Sequence, residues 1–139
     1  MSTAVSASRL RLYPTLQAFE DLSLDVESFD HEAHVHVAWL LLNEVPVLEA
    51  LARYTDALRR LTASLGIPGK YHETLTGALI LAIAERMHGS GDESWDDFAA
   101  RNADIIENSK DLLFEHYSEE RLFSPLARAQ FVLPDKSAA

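Results

Sequence analysis

The sequence predicts an all-α fold: a compact single-domain helical bundle of five to seven helices around a buried central helix at about residues 71–87. Three observations carry this. Apolar residues repeat at helical spacing in every apolar stretch, and β-branched alternation is nearly absent. The longest weakly polar run, GIPGKYHETLTGALILAIAERMH over residues 66–88, is bracketed by Pro68-Gly69 and by Gly89-Ser90-Gly91. In that run Leu75, Leu79 and Ile83 form one row, and Ile80, Ala84 and Met87 a second. A helix that is apolar on more than one side is one buried among others.

The elements follow in order. Residues 1–8 read as a disordered lead, 9–135 as one helical domain and 136–139 as a disordered tail. Pro14 suits the first position of a helix that buries Leu16, Phe19 and Leu22. Residues 24–29 connect. Asp30 is placed to cap a helix from about His31 to Asn43. At about 100° per residue its core-directed face carries His31, His34, Val35, Ala38 and Leu42, with His36 on a different side. Pro46 starts the next helix, whose stripe is Leu48, Leu51, Tyr54, Leu58, Leu61 and Leu65, and Gly66 closes it. Beyond the central helix, residues 89–93 form a loop and Ser94 caps a short helix through Asn102. Asp104 caps a segment with Ile105 and Ile106, and a separate one carries Leu112, Leu113, Phe114 and Tyr117. Ser124-Pro125 opens a last short helix, and FVLPD leaves the domain as an extended tail.

Composition narrows the function. A chain of 139 residues fits one domain with a core that needs no staples. The absence of cysteine excludes disulfides, thiolate metal sites and a Cys nucleophile, and suits a reducing, cytoplasmic setting. Twelve Lys and Arg against 22 Asp and Glu give a net charge of −10, the wrong sign for nucleic acid or an anionic membrane. No apolar run reaches the roughly 20 residues of a membrane span, and the N-terminus lacks the apolar core of a signal peptide. Without a glycine-rich phosphate loop or dinucleotide fingerprint, no nucleotide cofactor is expected. A homodimer is compatible with all of this.

The residues able to carry chemistry are His31-x-x-His34 on one helix and His72-Glu73 at the mouth of another. Two histidines three apart on a helix lie about 5–6 Å apart at Cβ, near enough to share an ion. His72 from a facing helix would complete three nitrogen ligands with an open position, a set suited to zinc, iron or copper. Glu73 would then serve as base or second shell, with Tyr71 and Thr76 beside it, and Thr74 is able to satisfy a buried polar group. HEAH is one residue too short for the zinc-protease motif. Glu85-x-x-His88 occurs once, and reads as a histidine at a helix C-terminus rather than half of a di-iron site.

Three segments, FDHEAHVHVAW (29–39), PGKYHETLTGA (68–78) and LFSPLARAQFVLPD (122–135), together resemble a family of small uncharacterised helical bacterial proteins. That family pairs an F-x-H-x-x-H-V-x-x-A-W segment with a K-Y-H-E-T-[IL]-T segment and closes with an F-S-P…F-V-x-P tail. The resemblance implies that His31, His34, Tyr71, His72, Glu73, Thr74 and Thr76 belong together, and supplies no activity. The expectation is a small metal-dependent enzyme acting on a small molecule through His31, His34 and His72. The second reading is a non-catalytic ligand-binding or interaction module whose His/Glu/Thr cluster is structural. A third is metal-free acid–base chemistry by His72 and Glu73.

Overall fold

In the computed structural model, which describes residues 12–136, the chain is all-helical and no strand occurs among the described residues. The expected lead at 1–8, and the expected tail beyond Lys136, lie outside the described residues. Eight α-helices are found among them: α1 (Leu16–Asp21), α2 (His31–Glu44), α3 (Val47–Ser64), α4 (Glu73–Met87), α5 (Trp95–Arg101), α6 (Ala103–Phe114), α7 (Glu119–Leu122) and α8 (Pro125–Ala129). Single 3-10 turns at Val26–Ser28 and Pro68–Lys70 lead into α2 and α4.

Side-chain caps set most of the starts. Asp30 accepts the Ala33 N–H, Ser94 that of Asp97 and Ser124 that of Ala127, so α2, α5 and α8 begin where expected. Thr15 caps α1 and Leu16 is its first residue, so Pro14 lies just before the helix rather than at its first position. After α3, Gly66 at φ +74° lets Ile67 N–H reach the Thr62 carbonyl and Gly66 N–H reach Ala63, which satisfies the last free carbonyls. The two segments expected at Ile105 and at Leu112–Tyr117 meet at a kink within α6, with Asn108 outside helical geometry between them (φ −156°, ψ 66°); Tyr117 lies beyond the last residue of α6, Phe114. The stripe of α3 holds at Tyr54, Leu58 and Leu61, but its ends overhang: Leu48 and Leu65 are exposed.

The central helix α4 packs against α2, α3, α6 and α8. Its double apolar character follows, because it serves two clusters. Ile80 and Ile83 join the main core with Phe19, Val35, Leu41 and Tyr54. Ala78 joins a second cluster with Leu113, Tyr117, Leu122, Ala127 and Val132. At about 25 cal/mol per Å² of buried apolar surface, such clusters are the main favourable contribution to folding.

The segment after α8 does not leave the domain. Thr74 is fully buried; its hydroxyl donates to the Gln130 carbonyl (2.9 Å) and accepts the Val132 N–H (3.1 Å). Tyr117 donates to the Val132 carbonyl, Arg121 to that of Leu133, and Ser118 N–H to Asp135. Lys136 N–H donates to His116. Phe131 packs on Gly77, where an added Cβ would stand 2.8 Å from its ring. FVLPD has no regular secondary structure but does not leave the domain as expected, because Thr74, Tyr117, Arg121 and Ser118 hold it against the helices.

Thr74→Val keeps the volume and removes both bonds, leaving the buried Val132 N–H without its acceptor. Urea unfolding is expected to show a loss of about 2 kcal/mol, with Thr74→Ser keeping most of the stability. Equal losses for the two variants would assign the effect to packing instead.

Candidate functional site

A cavity of about 370 Å³ opens between α2, α3, α4 and α6. Its apolar walls include Phe29 and the leucines 58, 61, 65, 75, 79 and 113; its polar groups include His34, Tyr54, His72 and Thr76. His31 also borders it, as do Lys70 and Tyr71 at the loop before α4, and Ser109 and Lys110 just past the α6 bend. Among the described residues, no aspartate or glutamate lines it.

His72 is not within the helix, as the periodicity suggested, but is its N-cap, with extended backbone (φ −134°, ψ 112°). The turned-back ring accepts the Leu75 N–H at Nδ1 (3.1 Å), which places the proton on Nε2, and Nε2 donates to the Leu122 carbonyl (2.8 Å). Both ring nitrogens are thereby committed to backbone. Thr76 donates to the His72 carbonyl (2.7 Å), closing the first turn. Burial, together with the positive charges of Arg128 and Lys110, holds the His72 imidazole below its usual pKa, against the pull of the Leu122 carbonyl.

His31 Nε2 donates to the Ile105 carbonyl (2.9 Å), tying the start of α2 to α6. His34 stacks on Phe29 with ring centroids 3.9 Å apart, and the Tyr54 hydroxyl lies 3.3 Å from both His34 Nδ1 and the His34 carbonyl oxygen. Burial first, and then the nearby His31, lower the His34 pKa to about 4, against the opposing effects of Asp30 and the Phe29 carbonyl.

These facts overturn the metal-dependent enzyme read from the sequence. Among the described residues no group of three His, Cys, Asp or Glu side chains is placed to hold a metal ion. The physical reason is visible at His72, which has no lone pair left to give. His31, His34 and His72 border one cavity without forming a ligand set.

Glu73, expected as base or second shell, is outside the lining. Its carboxylate accepts hydrogen bonds from the Arg59 guanidinium and the Tyr71 hydroxyl, and Arg59 also lies 5.3 Å from the centre of the Tyr71 ring. Burial, and then the bond to Glu73, raise the Tyr71 pKa. Arg59, Tyr71 and Glu73 form a braced corner beside the cavity. Glu85 and His88 are exposed, with His88 at the C-terminal end of α4, and neither lines the cavity. His36 lies in an aromatic cluster, stacked on Tyr13 (4.2 Å) and edge-on to Trp95 (4.8 Å). Sequence reasoning missed Tyr54, Lys70 and Lys110 as site residues; Lys70 stands inside the PGKYHET segment, whereas nothing local marks Lys110.

Compared with known proteins, the chain matches no family model, no curated protein and no solved structure.

Removing the His72 ring is expected to cost about 2–3 kcal/mol, since it takes away a cap and leaves the carbonyl of the fully buried Leu122 without a donor. His72→Asn, which can still cap, is expected to recover roughly 1 kcal/mol of what His72→Ala loses in chemical denaturation. No recovery would mean that ring packing carries the effect.

A second prediction concerns acid. A histidine held neutral in the fold stabilises it fully above its ordinary pKa of 6.5, and that stability is lost as pH falls towards the folded value near 4. Over this window the unfolded chain binds more protons, so stability rises with pH. The His34 contribution is on the order of 3 kcal/mol. Urea midpoints measured against pH are expected to flatten in His34→Gln; an unchanged slope would assign the acid loss to the carboxylates.

Proposed function

We propose that this protein is a small-molecule-binding module whose ligand occupies the cavity between α2, α3, α4 and α6. One observation carries the reading: four helices leave about 370 Å³ open inside leucine walls, in the size range of ligand pockets. Two of the polar groups that border it, His72 and Thr76, are turned to backbone partners. What they leave to a ligand is an apolar surface with few oriented groups, suited to binding an apolar body.

Three coarser expectations travel with this proposal. Among the described residues, no helix is long and apolar enough to cross a membrane, and we place the protein in the cytoplasm on the strength of its cysteine-free sequence. Kinship with the bacterial family that the three segments resemble stays part of this proposal, and the segments that carry the resemblance meet in the fold. His72 holds Leu122, Thr74 holds Gln130 and Val132, and Arg128 donates to the Gly69 carbonyl (2.8 Å), so the second and third segments meet. Phe29 and His34 of the first segment border the same cavity as Tyr71 and His72 of the second.

The test is a fragment screen by NMR on protein with labelled leucine methyl groups. Apolar fragments are expected to shift the methyls of leucines 58, 61, 75 and 79, and Ile67→Trp, a change at an exposed border position, is expected to abolish those shifts while the far-ultraviolet circular dichroism stays the same. A screen in which no fragment moves these methyls would overturn the proposal.

A further inference from the structure

We propose that the ligand class of this cavity is a free amphiphilic acid, an aliphatic body with one anionic head, its body against the leucines and its head at the rim between Lys70 and Lys110; the inference rests on the small-molecule reading above. The first ground is charge. The chain carries 22 acidic against 12 basic residues, yet among the described residues none of the acidic ones lines the cavity, while two lysines do. The second ground is how the other cations are used. Arg53, Arg59, Arg60, Arg86 and Arg101 each pair with a carboxylate, and Arg121, Arg128 and Lys136 each donate to a backbone carbonyl, whereas among the described residues neither Lys70 nor Lys110 has an ion pair or a side-chain hydrogen bond. Lys110 does lie 6.0 Å from the centre of the Phe123 ring, a contact that leaves its charge uncompensated.

The placement also suits the energetics. Both lysines are exposed, so an anionic head between them stays in water, and the pair avoids the desolvation that a buried ion pair costs. Deeper in, no carboxylate repels the head, and neutral His34 beside Tyr54 offers no charge that would draw it inward. Six leucines contribute to the walls, which suits an aliphatic chain better than a polar ring. A net charge of −10 opposes an anionic bilayer as the source, because the whole-molecule field acts over a membrane surface while the two lysines act on one head.

The experiment compares three probes with one aliphatic chain, octanoate, octanol and octylammonium, by calorimetry and leucine-methyl shifts on the full chain. Octanoate is expected to bind about tenfold more tightly than octanol, with octylammonium weakest, as two rim ion pairs would give. Added salt is expected to erase the difference. The double variant Lys70→Ala/Lys110→Ala is expected to lower octanoate affinity to that of octanol and leave octanol within about twofold; Lys70→Gln/Lys110→Gln repeats the test should the first variant melt early. Octanol binding as well as octanoate, or octylammonium binding best, overturns the acid class and leaves the cavity reading intact. Fragments that shift the methyls while all three probes fail do the same, and failure of every compound overturns both. Co-sedimentation with phosphatidylglycerol vesicles overturns the free acid as the source.

Discussion

The imidazole of His72 is held between two backbone groups that belong to different parts of the chain. Leu75 N–H is one of the donors that every helix leaves unsatisfied at its start. The Leu122 carbonyl, 50 residues further on, ends α7 inside the second apolar cluster. A neutral ring with a donor on one side and an acceptor on the other meets both needs at once, which serine or aspartate at a cap cannot do at that reach. The position of α4, the joining of the two clusters and one wall of the cavity all depend on this placement. So does the neutrality of the ring, since a proton on Nδ1 would break the cap.

Much of the helical order was legible in the sequence because the signals are local. Asp30, Ser94 and Ser124 announce their helices through side chains that reach their own backbone. His72 does not, because histidine is an uncommon cap, and a count of 3.6 residues per turn extends the helix through it. The kink in α6 is legible as the break between the segments at Ile105 and at Leu112, since a residue outside helical geometry interrupts the apolar pattern. Leu48 keeps its place in the stripe but is exposed in the first turn of α3.

The site was legible to a lesser depth. Helical phase and spacing draw attention to His31, His34 and His72, but the meaning of a histidine is set by what its nitrogens touch. Those partners, Ile105 and Leu122, are carbonyls dozens of residues away that carry no sequence signal. Glu73 shows the same limit: Arg59, fourteen positions earlier, decides that its carboxylate braces a corner rather than faces a substrate. Lys110 belongs to the rim through the packing of α6 beside α4, just past the bend at Asn108, which no local pattern announces.

The strap along α4 bears on the order in which this protein forms. Residues 12–87 contain most of the main core and can collapse as they are synthesised, yet the start of α4 waits for partners that are translated last. Until Leu122 and Val132 arrive, His72 and Thr74 face either water or an incomplete groove, with the Gly77 backbone uncovered where Phe131 will lie. These are closures of 50 and 58 residues, and they contribute to the slow, entropically costly part of the search. A ribosome-bound chain ending before α7 would therefore hold a central helix with a loose first turn, and it would present that apolar groove to whatever first comes near.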